Sequence, residues 1–228
     1  PDGRQLALVA GNDPKLTYFS GYGIATVPVA GGTPKWLTRE LDRNTYQPRW
    51  TADGRALTFL IEDDRNQQLA RVPAGGGKMA LLTLGRRTVT DYSARGGHIA
   101  LLQSSVDRPY EVYALDGAQA RQLSHHNDAL LAEVQLASVE EFSADSKDGT
   151  RISGFLVKPP GYVAGQKYPT LLRIHGGPVS QFANEFKFEW QLFAANGYVV
   201  VAGNPRGSSG RGEAFSAAIS ADWGNKDT

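Results

Sequence analysis

Two glycine-rich segments contain the residues of this sequence whose types and spacing could do chemistry. In the stretch LLRIHGGPVSQF, residues 171–182, an apolar run leads directly into what we call the HGGP loop: His175, Gly176, Gly177 and Pro178. The second segment is PRGSSGRG, residues 205–212, which we call the second glycine loop. Glycine lets backbone N–H groups approach a ligand closely, and several N–H groups that point into one cavity stabilise an oxyanion. We therefore interpret the HGGP loop as half of an oxyanion hole.

Two other interpretations of these loops compete with this one. Dinucleotide or phosphate binding requires a G-x-G-x-x-G or Walker pattern, which neither loop spells, and Pro178 would fit poorly in a phosphate loop that opens a helix. A plain tight turn after a strand requires no chemistry. The second glycine loop follows the next predicted strand, and in lipases and esterases an HGGG-type segment at this place supplies an oxyanion donor. This combination favours the oxyanion hypothesis.

The elements predicted around the two loops would place both at one edge of a parallel sheet. A buried strand is predicted over residues 167–174 and a second one over 198–204, each a largely apolar run. Helices are predicted over 185–197 and 213–224, the first with Phe186, Trp190 and Phe193 on one face. Alternating strands and helices predict a parallel sheet with helices packed on it. Ligands bind beyond the carboxyl ends of such strands, which is where the HGGP loop begins.

The first half of the sequence repeats itself. The segment PDGRQLALVA at 1–10 returns as ADGRALTFLI at 52–61 and, more weakly, as ARGGHIALLQ at 94–103. A period of roughly 40–50 residues is in the range of propeller blades. Short strands separated by Asp-Gly and Gly-Gly turns predict four antiparallel strands per unit, and thus about three blades. The acidic run at 62–64 is expected to be a solvated hairpin turn.

Four motifs follow the repeats in a fixed order: DGTRISGFLVKPPGY at 148–162, HGGP at 175–178, NPRGSSGRG at 204–212 and DWGNKD at 222–227. In this order the chain resembles the prolyl oligopeptidase family of serine peptidases, and within it the branch of acylaminoacyl-peptidases and dipeptidyl-aminopeptidase-like enzymes. The resemblance implies an incomplete β-propeller over residues 1–130. It implies the N-terminal part of an α/β-hydrolase domain over residues 131–228.

The resemblance also implies roles for individual residues. In that family the HGGP loop contributes a backbone N–H to the oxyanion hole, which here assigns the donor to Gly177 and a bracing role to His175. The N-x-R-G-S segment borders the active site in the family, which assigns Arg206 and Gly207 to that border. We expect Arg206 to hold its loop by hydrogen bonds rather than to contact substrate.

The catalytic triad is expected outside this chain. The family mechanism is acyl transfer through a Ser-Asp-His triad, whose serine lies in a G-x-S-x-G elbow. The sequence has no such motif, since Ser208 and Ser209 precede the expected nucleophile strand. The triad is therefore predicted after Thr228, and further propeller blades before Pro1, so that the chain alone is expected to be inactive.

The composition limits the kinds of partner and cofactor that the chain is expected to bind. The 24 basic and 23 acidic residues give a net charge of +1, which does not indicate nucleic acid. There is no cysteine, which excludes disulfides and thiolate metal sites and suits both the cytoplasm and the bacterial periplasm. No run approaches the ~18 apolar residues of a membrane span. Adjacent His125 and His126 would point to opposite faces of a strand, so no metal or other cofactor is expected.

The predicted partner is a short peptide or acyl-peptide substrate. Two alternatives stay open at this point. The first is a carboxylesterase with an appended propeller, which would use the same HGGP loop. The second is a non-catalytic propeller binding module attached to a hydrolase scaffold that has lost its activity. Esters tested against acyl-peptides would distinguish the two enzyme classes.

Overall fold

A computed structural model describes residues 2–117 and 119–227 of the chain. Pro1, where the first repeat begins, and Thr228, after which the triad is predicted, lie outside the described residues. The described part of the chain is mostly β-structure, arranged in three open sheets of three, eight and four strands. None of the described helices is both long enough and apolar enough to cross a membrane.

The first sheet is antiparallel, in the order β1 (Gln5–Gly11), β2 (Tyr22–Pro28), β3 (Lys35–Trp36). A short 3-10 helix, Thr17–Phe19, connects β1 to β2, and a second one, Arg39–Leu41, follows β3. The central strand β2 has four consecutive buried residues, and one of them, Ile24, packs in a cluster with Leu57 and Phe59 of the second sheet.

The second sheet consists of two groups of four antiparallel strands. Its strands are β4 (Thr45–Trp50), β5 (Ala56–Asp63), β6 (Asn66–Pro73), β7 (Ala80–Leu81), β8 (Thr88–Arg95), β9 (His98–Ser105), β10 (Arg108–Asp116) and β11 (Gln119–Gln122). A single parallel bridge, Gln67 to Thr88, joins the group β4–β7 to the group β8–β11. The two groups coincide with the sequence repeats.

In the segment KMALLTL, residues 78–84, only the two residues of β7 pair as a strand. The Thr83 hydroxyl accepts the Leu69 N–H at 2.9 Å, which takes this N–H from a backbone partner and ends the ladder. Apolar side chains fill the spaces between the sheets, with Ile24, Leu57 and Phe59 fully buried in one cluster. A second cluster contains Tyr92.

The Tyr92 hydroxyl is tied into the second sheet. It lies 2.8 Å from the carbonyl oxygens of both Gln47 and Thr58. Burial raises the pKa of Tyr92, so the hydroxyl stays protonated and acts as a donor. This buried group therefore stabilises the contact between β4, β5 and β8.

The third sheet has a different topology. Helix α1 (Asp128–Glu133) precedes it, and its remaining elements follow in chain order: β12 (Ser138–Asp145), β13 (Arg151–Lys158), β14 (Thr170–Arg173), α2 (Phe188–Ala195), β15 (Val199–Asn204) and α3 (Glu213–Ala217). The strand order is β12-β13-β15-β14. The β14–β15 pair is parallel, whereas β12–β13 and β13–β15 are antiparallel.

Three predictions of extent or burial in this part were wrong. Helix α2 begins at Phe188 instead of 185, because the Phe186 N–H is donated to the Ser104 hydroxyl at 2.9 Å and the chain before α2 follows that contact. Helix α3 ends at Ala217, and Ala221 adopts a positive φ of 58° soon after. Strand β14 is an edge strand rather than a buried one, so Leu172 is 66% exposed.

Candidate active site

The two glycine loops lie at the same edge of the third sheet. The HGGP loop follows β14, and the second glycine loop follows directly from β15. Because β14 and β15 are parallel neighbours, their carboxyl ends meet at one edge. Gly176 and Gly177 are exposed there, while His175 is half-buried beneath them. The structure thus brings together the loops that the sequence predicted to be neighbours.

The His175 ring is held on three sides. Its Nδ1 lies 3.0 Å from the Gly176 carbonyl oxygen, and its Nε2 lies 2.9 Å from the Ser208 hydroxyl oxygen. The ring packs edge-on against Phe182 at a centroid distance of 5.2 Å. Burial lowers the pKa of His175, and the Gly176 carbonyl only partly opposes this. Because a carbonyl oxygen can only accept, the bond to Gly176 uses a proton on Nδ1, while Nε2 is paired with the Ser208 hydroxyl.

This arrangement fixes the direction of the Gly177 N–H. In a trans peptide the C=O and the next N–H point to opposite sides, so a Gly176 carbonyl bound to His175 turns the Gly177 N–H away from the ring. Within residues 2–117 and 119–227 no acceptor is bound to the Gly176 or Gly177 N–H. Both groups are thus available to an oxygen of a ligand.

Only glycine suits position 177. Its φ is +145°, and a Cβ there would lie 2.8 Å from the Val179 nitrogen, which is closer than real Cβ contacts. Gly207 in the second glycine loop is restricted in the same way, with a φ of +97° and a Cβ position 2.8 Å from Cγ1 of buried Ile219. The two glycines therefore meet steric requirements of the backbone.

The two loops are hydrogen-bonded to each other. Asn204 accepts the Phe182 N–H at 2.8 Å and donates to the Phe182 carbonyl at 2.9 Å. The Ser209 N–H donates to the Ser180 carbonyl at 2.8 Å. Phe182 itself packs against buried Trp190 at a centroid distance of 5.3 Å. The exit of the HGGP loop is thus anchored in the core of the third sheet.

Arg206 holds its surroundings together by hydrogen bonds. Its Nη1 lies 2.8 and 2.7 Å from the two carboxylate oxygens of Asp148, and its Nε donates to the Lys226 carbonyl at 2.6 Å. The backbone N–H of Thr150 and then the Arg206 guanidinium lower the pKa of Asp148 to about 2. The assignment of Arg206 and Gly207 to an active-site border stays a prediction.

The contact between Ser208 and His175 is not a catalytic pair. Ser208 is only 1% exposed, and its hydroxyl also lies 2.7 Å from the Pro205 carbonyl. The other ring nitrogen faces a carbonyl, whereas a triad requires a carboxylate there. Among the described residues no histidine bridges a serine hydroxyl and a carboxylate. Nor does this part of the chain hold a cluster of acidic or histidine side chains that could bind a metal ion.

The expectation of a solvated turn at 62–64 was wrong for two of the three acidic residues. Burial raises the pKa of Glu62, whose carboxylate accepts from the Asn44 amide at 3.1 Å. The Asp64 carboxylate accepts from the Ser153 hydroxyl at 2.5 Å. Only Asp63 is exposed as predicted. The hairpin end packs against the third sheet, and its partners lie far away in sequence, so local patterns gave no signal of this contact.

Comparisons with known proteins bear on the family of the chain. Residues 184–228 match the model of the prolyl oligopeptidase family. The chain is 31% identical to the uncharacterised peptidase YuxL of Bacillus subtilis over 184 residues, or 79% of this chain and 28% of that protein. The chain belongs to the prolyl oligopeptidase family. This confirms the family predicted from the sequence.

Two further relatives align over nearly the whole chain. Dipeptidyl-peptidase 5 of Porphyromonas gingivalis is 25% identical over 235 residues, covering 100% of this chain and 34% of that protein. The structure of an acylaminoacyl peptidase in complex with Z-Gly-Gly-Phe-chloromethyl ketone superposes with a TM-score of 0.87 and 26% identity, over 99% of this chain and 35% of that chain. The chain therefore spans about a third of the length of these relatives.

Proposed function

We propose that the protein containing this chain is a serine-type peptidase that hydrolyses short peptides or acyl-peptides by acyl transfer. In this proposal the Gly177 N–H is one donor of the oxyanion hole, Gly176 and Pro178 shape the loop, and Arg206 and Gly207 border the site. The observation that carries the proposal is the exposed Gly177 N–H, which has no described acceptor and whose direction is set by the bond between His175 and Gly176.

The proposed mechanism assigns this N–H to the transition state. A serine attacks the scissile carbonyl, a histidine takes the serine proton, and an aspartate orients the histidine. Negative charge then develops on the carbonyl oxygen, where a fixed N–H dipole stabilises it. The triad is proposed to come from residues outside this chain, since the sequence lacks G-x-S-x-G. The 228-residue chain alone is accordingly proposed to be inactive.

The proposed architecture is a β-propeller part followed by the N-terminal part of an α/β-hydrolase domain, divided near residue 130. Two repeated groups of four antiparallel strands support the propeller assignment. The hydrolase assignment is supported by β14 and β15, which are parallel and separated by α2. In this arrangement the propeller lies over the active site and restricts access to short peptides.

The names of the relatives support the proposed substrate class. One is a dipeptidyl-peptidase, and another is an acylaminoacyl peptidase whose structure holds a blocked tripeptide chloromethyl ketone. One name refers to dipeptidyl units and the other to acylaminoacyl units. We accordingly propose peptides of a few residues, with a free or acylated amino terminus, as substrates of this protein.

The test uses the full-length protein, a fluorophosphonate probe and three substrate series: dipeptidyl amides, acylaminoacyl amides and simple esters. We expect labelling and faster hydrolysis of one amide series. Gly177→Ala keeps the N–H, but its Cβ would lie 2.8 Å from the Val179 nitrogen at a φ of +145°, so the backbone must shift and displace the donor. We expect kcat to fall about a hundredfold, the size of effect seen when one oxyanion donor is lost. Gly165→Ala is the matched control, since Gly165 also has a positive φ (87°) but has open space around it.

Three results would contradict the proposal. The absence of both labelling and amide hydrolysis would exclude a serine peptidase. A preference for esters over every amide would favour a carboxylesterase. Equal activity in Gly177→Ala and Gly165→Ala would remove Gly177 from the oxyanion hole.

A further inference from the structure

The turn between β5 and β6, formed by Asp64 and Arg65, is the part of the second sheet that reaches the two glycine loops. Both residues have positive φ, 21° and 67°, as the tight two-residue hairpin requires. The turn protrudes from the second sheet and ends against the third one. The backbone N–H groups of Asp64 and Arg65 and the Arg65 carbonyl all have hydrogen-bond partners there.

Backbone contacts connect the turn to both loops. The Asp64 N–H donates to the Gly210 carbonyl of the second glycine loop at 2.8 Å. The Arg65 N–H donates to Oε1 of Gln181 at 2.8 Å, three residues after the HGGP loop. The Asn184 N–H donates to the Arg65 carbonyl at 2.7 Å. One turn therefore binds the exits of both loops at once.

The contact point is closely packed. A Cβ placed on Gly210 would lie 2.6 Å from Gln181 Oε1 and 3.1 Å from the Asp64 nitrogen. The turn, the second glycine loop and the segment after the HGGP loop thus meet at one point with no room for a side chain at position 210. This close packing fixes the distance between the turn and the second glycine loop, in addition to the hydrogen bond that joins them.

Side chains of the turn contact two neighbouring strands of the third sheet. The Arg65 guanidinium is mostly buried and lies 3.6 Å from the Glu141 carboxylate on β12. The Asp64 carboxylate accepts from the Ser153 hydroxyl on β13. Because β12 and β13 are antiparallel neighbours in the sheet, these contacts locate the turn relative to a fixed frame.

We propose that the Asp64–Arg65 turn is a positioning element for the oxyanion hole: through Gln181 and Gly210 it holds the two glycine loops at the spacing that aims the Gly177 N–H. This inference rests on the proposed function, since it concerns the same site. Asp64, Arg65 and Gln181 do not touch substrate in this proposal. They act on Gly177 through the backbone of the HGGP loop.

The role of an oxyanion donor predicts which kinetic constant should change when the donor is misplaced. A donor of the oxyanion hole interacts most strongly with the charge that develops in the transition state. Misplacing it lowers kcat, whereas binding of the ground-state substrate changes little. General loosening of the contact between the two parts of the chain would instead affect every bond across that contact.

The activity experiment compares three variants of the full-length protein on its best peptide amide. Gln181→Ala removes the acceptor of the Arg65 N–H, and we expect kcat to fall about tenfold with KM within about twofold. Gln181→Glu keeps an oxygen at this place and should recover kcat to within about threefold. Tyr110→Phe is the control: its hydroxyl donates to Glu185 at 2.6 Å, a bond across the same contact that touches neither glycine loop.

A second measurement does not depend on activity. Hydrogen exchange at the Ser209 and Phe182 amides reports the bonds between the two loops, namely those to the Ser180 carbonyl and to Asn204. Gln181→Ala should accelerate exchange at both amides about tenfold. Tyr110→Phe should leave both rates unchanged.

The two measurements separate the possible failures. If the wild-type protein hydrolyses no peptide but exchange accelerates only in Gln181→Ala, the proposed function fails and the role of the turn in holding the loops stands. If the protein is active and Gln181→Ala keeps its kcat, the positioning role is overturned whatever the exchange shows. An equal loss of kcat in Tyr110→Phe would also overturn it, because the effect would then be general loosening.

Discussion

Asn204 offers the sharpest test of how the HGGP loop is anchored. This residue ends β15, is 1% exposed, and makes two hydrogen bonds to the backbone of Phe182, one in each direction. Replacing it with alanine removes both partners at once. The Phe182 N–H and carbonyl are then left without partners in a place that water reaches poorly, since Phe182 is 8% exposed.

The expected cost follows from these two groups. A buried backbone group without a partner costs about 1–3 kcal/mol, so two such groups cost about 2–6 kcal/mol. Some relaxation of the loop toward water would reduce this. We expect Asn204→Ala to destabilise the anchored state by about 3 kcal/mol, which corresponds to roughly a hundredfold change in an equilibrium constant.

Native-state hydrogen exchange measures the destabilisation caused by Asn204→Ala at the affected backbone itself. The Phe182 amide is one of the two groups concerned, so its exchange rate should rise roughly a hundredfold in Asn204→Ala. Asn204→Asp keeps an acceptor for the Phe182 N–H but places an oxygen against the Phe182 carbonyl. We therefore expect it to be no better than alanine, although its volume is almost unchanged.

Asn196 provides the control for the same substitution at an exposed site. Its side-chain amide donates to the Leu192 carbonyl at 2.8 Å at the exposed end of α2. Asn196→Ala should leave the exchange of the Phe182 amide within about threefold of the wild-type rate. The reasoning is refuted if Asn204→Ala accelerates that exchange less than about fivefold, because the anchoring would then lie elsewhere.

Three further predictions concern stability. Gly207→Ala should lower the free energy of unfolding by about 2–5 kcal/mol, from positive φ and steric overlap together, as urea denaturation would measure. The pKa of Asp148 lies at about 2, below its ordinary value of 3.8, because of the Thr150 N–H and Arg206. The ionised Asp148 therefore contributes fully to stability above pH ~4, and this contribution is lost as the pH falls toward 2. Between pH 2 and 6, the thermal unfolding midpoint should depend less steeply on pH in Asp148→Asn than in the wild-type protein. Tyr92→Phe should cost about 1–2 kcal/mol in the same denaturation assay, because it leaves buried carbonyls without their donor.

Local sequence patterns predicted most of the elements. The Asp-Gly and Gly-Gly turns and the short strands between them predicted the hairpins of the second sheet. The position of the HGGP loop after a strand was also correct. These features depend on neighbours in sequence, which is why a sequence alone reveals them. The propeller and hydrolase division near residue 130 stays a prediction.

The ends of helices and the contacts between distant residues could not be predicted from local patterns. Helix α2 starts late because the Phe186 N–H is donated to Ser104, a partner from the other part of the chain. Strand β14 has an open edge within this chain, which spans about a third of its relatives' length, so its exposure here does not follow from its apolar composition. A helix end or an edge position depends on what else is nearby in space, and composition does not report this.

The sequence by itself determined the family, the two glycine loops and the glycine at position 177, since these depend on residue types, order and backbone freedom. Only the tertiary structure decided which groups hold the loops. Asn204 reaches Phe182 because β15 ends beside the chain that leaves β14, and the Asp64–Arg65 turn reaches Gln181 across 116 positions of sequence. Hydrogen bonds between distant residues form only when the packing of the sheets brings donor and acceptor within about 3 Å, and no local pattern specifies that distance.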